Sequence, residues 1–292
     1  MKNVNYIKTS VAFRLLLAIL CIGFVLFLSS CQNNAKNDVV YMTTSSSQSR
    51  GLPSNSETSS NEGTESIGMP NDLASQSTDL LSYFDYKKIG IDVTSSIGVK
   101  IKNCNIILDY FGNLLVLGEV SNISSVIKTN MILTFDFYDK KNDLLFSDNI
   151  IIQINYLRPG ATVPFIYSVK DSTQYININN VKIGINYKDY YKLLQSNVVV
   201  RKEKTSYEDN MIKISGKLVN IGENKAKNIV LLCTFYDEKD KVVFIKKCYI
   251  PKQELSPKEE EDFLLEVLFS KFGSKFTHYN FEVFFEDSVE MP

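Results

Sequence analysis

The chain has 292 residues and a formal net charge of −1. Three basic residues and no acidic ones fall in the first 30, so the remainder carries a charge near −4. That balance lacks the clustered basic face that nucleic acid demands, and net charge alone gives no reason to expect binding to anionic lipid headgroups.

In chain order, Lys2, Lys8 and Arg14 precede an unbroken apolar run from Leu15 to Leu28, followed by Ser29-Ser30-Cys31. A basic start, a short apolar stretch and small residues before the cut describe a secretory signal. The run falls short of the roughly 20 apolar residues of an ordinary spanning helix. Leu28-Ser29-Ser30-Cys31 resembles the lipobox of bacterial lipoproteins. The resemblance implies cleavage after a signal peptide of residues 1–30 and acylation of Cys31 by palmitate-like chains. The protein would then be extracytoplasmic and lipid-anchored to the cell membrane.

Residues from about Gln32 to Ser77 are rich in Ser, Thr, Asn, Gln and Gly, as in Thr43-Thr44-Ser45-Ser46-Ser47. Such a segment cannot bury enough apolar surface to repay its ordering entropy. Residues 31–78 are therefore expected to be a disordered tether carrying the lipidated Cys31. About 45 residues of random coil reach on the order of 35–40 Å. A lead-in, residues 79–97, follows.

The rest is an internal repeat with a constant offset of 98 residues. Gly118-Glu119-Val120-Ser121-Asn122 matches Gly216-Lys217-Leu218-Val219-Asn220, and Phe137-Tyr138-Asp139 matches Phe235-Tyr236-Asp237. Leu157-Arg158-Pro159 matches Leu255-Ser256-Pro257, and Phe165 matches Phe263. Two copies of one domain are expected, at 98–188 and 197–288. Within each copy the apolar period is two, the strand period. Met131, Leu133, Phe135 and Phe137 share a phase, as do Ile229, Leu231, Cys233 and Phe235. Asp139 to Asp143 and Asp237 to Lys241 read as hairpin turns, with Asn142 and Asp240 at the position that tolerates the left-handed conformation. About seven short strands per copy, without a helical stripe, read as a β-sandwich. Tyr190 to Gln195 reads as a helical turn or a simple linker.

The string Gly-x-Val/Leu-x-Asn, then Phe-Tyr-Asp, then Leu-x-Pro, then Phe resembles the FxLYD family, immunoglobulin-like domains of bacterial secreted proteins and lipoproteins. Copy two carries Lys258 where that pattern often has Gly, as copy one does at Gly160. The resemblance implies an all-β fold of two tandem immunoglobulin-like sandwiches and an extracytoplasmic location. It implies no catalytic activity and no cofactor.

The residues themselves offer little for catalysis. The one His, His278, has no recognisable nucleophile motif near it. Cys104, Cys233 and Cys248 lack the paired spacing of metal ligands, and no Gly-rich phosphate loop is present. Cys233 and Cys248 fall on adjacent expected strands, where either a disulfide or two small buried hydrophobes would fit. The acids in the hairpin turns read as turn formers rather than calcium ligands. Glu259-Glu260-Glu261-Asp262 reads as a solvated loop, the alternative being a docking site for a basic partner.

One asymmetry stands out. On the outward phase of one strand, copy one has Leu115 and Leu117 where copy two has Lys213 and Ser215. A contiguous apolar patch marks a contact face. The expected cover is Leu80 to Ile91 of the same chain, or a protein partner. The expected role is a non-enzymatic binding or scaffolding module held to the membrane through Cys31, meeting a protein or another envelope component. The alternative is a ligand-capturing lipoprotein serving a transporter.

Overall fold

The computed structural model describes residues 84–94, 96–208, 210–269 and 275–287. The expected signal peptide, Cys31 and the expected tether lie outside these residues.

The described chain is almost entirely β. Its first part contains β1 (Gly90–Val93), β2 (Val99–Leu108), β3 (Leu114–Asn122), β4 (Ile127–Tyr138), β5 (Leu144–Ile151), β6 (Thr162–Val169) and β7 (Asn180–Tyr190). One sheet runs β1-β7-β4-β5 and the other β2-β3-β6. The second part contains β8 (Val198–Glu208), β9 (Met211–Asn220), β10 (Ala226–Tyr236), β11 (Val242–Lys247), β12 (Glu260–Leu268) and β13 (His278–Asp287). Its sheets run β11-β10-β13 and β12-β9-β8. Each pair of sheets encloses its own apolar cluster. Phe135, Phe137, Phe165 and Tyr167 lie at the centre of the first, and Phe235, Phe263, Leu231 and Ile214 in the second. Alternate residues of each strand supply these clusters, as the pleat requires.

The strands of the second sandwich follow those of the first at the repeat offset, with one exception. β1 pairs in parallel with β7, Gly90 opposite Asn180 and Val93 opposite Ile183. The lead-in thus supplies a strand of the first sandwich instead of standing outside it. The second sandwich has no counterpart, because the equivalent residues, Lys188 to Tyr191, are occupied at the end of β7 and just beyond it. The linker after Tyr190 contains no helical turn.

The repeated residues have a common physical use. Asp139 Oδ1 accepts from the backbone N–H groups of Lys141 (2.8 Å) and Asp143 (2.9 Å), closing the β4–β5 turn. Asp237 does the same with Lys239 and Lys241, both at 2.9 Å. Asn142 and Asp240 take the left-handed conformation that these turns need, with φ of 66° and 58°. Gly118 lies opposite Phe165 and Gly216 opposite Phe263 on paired strands. A Cβ on Gly118 would sit 2.6 Å from the Phe165 ring, and one on Gly216 2.8 Å from the Phe263 ring. The glycine is therefore the floor on which the repeated phenylalanine lies. Asn122 and Asn220 are buried and fully bonded. Asn122 Nδ2 donates to the carbonyls of Val126 and Leu157, both at 2.8 Å. Asn220 Nδ2 donates to Asn224 (2.8 Å) and Leu255 (2.9 Å). Each holds two crossing segments together at the far end of its sandwich.

Candidate functional site: the junction of the two sandwiches

β3 is buried along all nine of its residues. One face looks into the first core. The other carries Leu115 and Leu117, which form a third apolar cluster with Ile107, Tyr236, Val242 and Ile245. Leu117 is 1% exposed. Of the expected cover Leu80 to Ile91, the apolar residues that are described, Phe84, Tyr86, Ile89 and Ile91, join the first core and not the face that sequence reasoning singled out. The second sandwich of the same chain lies on that face. The physical reason is matched apolar surface. Val242 and Ile245 of β11 stand where the first sandwich has Leu144 and Ser147, both exposed. Leu232 and Phe284 of the second sandwich also join the first apolar cluster. At the positions equivalent to Leu115 and Leu117, Ser215 is exposed and Lys213 is half-buried, its ammonium 2.7 Å from Glu208.

A polar cluster borders this contact. Glu119 is 2% exposed. Its carboxylate accepts from the Tyr236 hydroxyl (2.6 Å) and from Asn103 Nδ2 (2.7 Å), and Lys102 Nζ stands 4.0 Å away. Tyr236 belongs to the Phe-Tyr-Asp string of the second sandwich, so a repeated fold residue here serves the junction. Burial and the bond to Glu119 push its phenol well above the usual range. Glu282 faces Glu119 from β13, and its carboxyl is pushed up to about 7, chiefly by burial and next by the Glu119 charge. Backbone N–H of Thr162, Asn280 and Lys102 act in the opposite direction on it. Asn105 Nδ2 donates to the Val242 carbonyl at 3.0 Å.

On the other flank, the Arg158 guanidinium lies 4.1 Å over the Phe285 ring, donates to the Ser196 carbonyl (2.9 Å) and stands 3.8 Å from Asp287. Nearby, a cavity of about 250 Å³ opens between the sandwiches, lined among others by Asn155, Tyr156, Asn228, Phe284 and Glu286. Its polar groups largely satisfy one another, since Asn155 and Asn228 both donate to Glu286.

The remaining sequence candidates have plain environments. Cys104, Cys233 and Cys248 are free thiols, all buried. Burial pushes the Cys104 thiol up to about 11 and raises the Cys233 and Cys248 thiols as well, so none is a ready nucleophile. His278 is exposed, stacks on Tyr236 at 4.8 Å and has Nε2 3.4 Å from Asp240. Among the described residues no group of three His, Cys, Asp or Glu converges as a metal site would require, and no helix is long and apolar enough to cross a membrane. In the acidic run, Glu260 and Asp262 reach Lys217 at 3.3 and 3.4 Å, and Glu259 pairs with Lys252.

No family model and no curated protein matches the chain. Among solved structures, red sea bream transglutaminase aligns with 66% of this chain and 30% of its own, at 9% identity and a TM-score of 0.22. The Amycolatopsis orientalis exo-chitosanase CsxA, in complex with PNP-beta-D-glucosamine, aligns with 63% of this chain and 25% of its own, at 11% identity and a TM-score of 0.25. The tandem CBM22 domains of Paenibacillus barcinonensis Xyn10C align with 68% of this chain and 86% of their own, at 10% identity and a TM-score of 0.10. The chain thus spans less than a third of the length of the first two. Similarities at this level carry nothing about activity.

Proposed function

We propose that this chain is a lipid-anchored, non-enzymatic lipoprotein that holds a docked pair of β-sandwiches outside the cell membrane as a binding or scaffolding module. The observation that carries the reading is Leu28-Ser29-Ser30-Cys31 directly after a basic start and a short apolar run. The FxLYD-like strings of both copies accord with it. So does the economy of the described part, where the repeated Gly, Asn, Asp and Phe residues serve turns and packing. In this reading palmitate-like chains on Cys31 supply membrane residence, which becomes stable with two or more chains.

Ligand capture for a transporter is the second reading, favoured by the cavity at the junction. It ranks lower because about 250 Å³ is below the roughly 300–1,000 Å³ of ordinary ligand pockets. The test is metabolic labelling with a fatty acid. The wild-type chain takes up label and stays with membranes, and Cys31→Ala does neither. A Cys31→Ala chain that still carries the labelled fatty acid overturns the assignment.

A further inference from the structure

β13 is a sheet edge, because the order β11-β10-β13 leaves one of its sides without a strand among the described residues. In the first sandwich the same side is filled. β1 lies along β7 there, and the N–H groups of Gly90 and Thr94 donate to the carbonyls of Asn179 and Ile183, both at 2.9 Å. At the repeat offset Val181 corresponds to Tyr279 and Ile183 to Phe281. Val181 and Ile183 are 0% exposed. Tyr279 and Phe281 also pack on their own core, yet both remain only half-buried. The lead-in brings Ile89 and Ile91 to the first core, and none of its residues reaches the second. Across the open flank the Tyr279 hydroxyl shares a hydrogen bond with Thr205 of β8 (2.5 Å) and donates to Glu203.

An open edge invites a further strand, and proteins blunt their edges with bulges, short strands, proline and charge. The other edges here carry such a device. β1 has four residues, and β6 contains Pro164. β2, β5, β8 and β11 each pair with their neighbour through a shifted register. β12 carries Glu260, Glu261, Asp262 and Glu266. β13 has ten residues, and its first part, His278 to Val283, contains neither Lys nor Pro. Its pairing with β10 is regular from Tyr236 to Val230. Glu282, the acid within that part, faces Glu119 and the junction. The stretch that corresponds to the filled edge of β7 is therefore the one left undefended.

We infer that the free edge of β13 binds an extended segment of a partner protein, which adds as a parallel strand along His278 to Phe281 and lays aliphatic side chains over Tyr279 and Phe281. The chemistry of that segment is read from β1, which fills the equivalent edge. Main-chain donors at alternate residues bond the edge strand, as those of Gly90 and Thr94 do on β7. Aliphatic residues two apart, as Ile89 and Ile91 are, supply the apolar cover. In strand addition of this kind the main chain gives affinity and the alternate side chains give specificity. A second copy of this chain fits less well. Its lead-in is already paired with its own β7, and moving it to β13 would open one edge for each edge filled.

The inference rests on the binding role proposed above, but its test involves no lipid, so its failure leaves the assignment of Cys31 standing. The probe is a synthetic peptide of residues 84–94, the segment that fills the equivalent edge, added to the chain from Gln32 onward. The readout is amide-resolved hydrogen exchange. At saturating peptide the amides of Tyr279 and Phe281 should exchange about tenfold more slowly. A peptide N-methylated at Gly90 and Thr94 lacks the donors that β1 uses on β7 and should protect neither amide. Ile89→Lys and Ile91→Lys together in the peptide should weaken the protection. Unchanged exchange on β13 at the highest soluble peptide concentration overturns the inference. So does a change confined to Val181 and Ile183, which would show the peptide trading places with β1. Protection of Tyr279 and Phe281 that grows with protein concentration in the absence of peptide, as a dimer forms, would give the edge to a second copy and also overturn it.

Discussion

Lys258 takes the left-handed conformation, with φ of 68°, where the first sandwich has Gly160 at 78°. Both residues donate their N–H to the buried asparagine's backbone carbonyl, Lys258 to Asn220 at 2.8 Å and Gly160 to Asn122 at 2.9 Å. The turn is therefore the same, and only its side chain differs. A non-glycine residue in this region costs roughly 1–2 kcal/mol, partly offset by the greater unfolded-state freedom of glycine. Lys258→Gly should stabilise the protein by about 0.5–1 kcal/mol, and Gly160→Lys should destabilise it by a similar amount, read from urea midpoints. A loss of stability in Lys258→Gly would show that the Lys258 side chain holds its loop in a way its backbone geometry does not reveal.

Among the elements, β3 differs most from its repeat partner. Buried on both faces, it belongs to a core and to a junction, whereas β9 presents Lys213 and Ser215 outward. Leu115 and Leu117 each contribute roughly 1.5–3 kcal/mol if fully covered. The double change Leu115→Lys, Leu117→Ser copies the second sandwich's own surface and should leave both sandwiches folded but parted. In urea, unfolding should then resolve into two transitions. A variant that unfolds as one unit at the wild-type midpoint would refute the role given to β3. The patch was legible in the sequence because an apolar pair stands out on a phase that is wet in the other copy. What covers it was not, since Val242 and Ile245 follow the ordinary alternation of a strand and only comparison with Leu144 and Ser147 marks them. The strands themselves were readable because period two and turn chemistry are local. β1 was not, because four residues opposite β7 are decided by an open sheet edge rather than by their own pattern.

For the whole molecule, docking makes stability depend on pH through Glu282. Its folded pKa, about 7, lies above the usual carboxylate range. Between that range and about 7 the folded group stays protonated while the unfolded one ionises. Stability is therefore lost as pH rises through this window and is fully present below it. The loss is on the order of 3 kcal/mol for a shift of this size. Glu282→Gln should flatten the profile between about pH 5 and about pH 7.5 and should retain docking at the higher pH. An unchanged slope in Glu282→Gln would assign the pH dependence elsewhere.

The reading of the whole molecule turns on its first mature residue. Its most direct test is the mass of the N-terminal peptide of the chain recovered from membranes. The account predicts a peptide that begins at Cys31 and carries acyl chains. A peptide that begins elsewhere, or an unmodified Cys31, would contradict it.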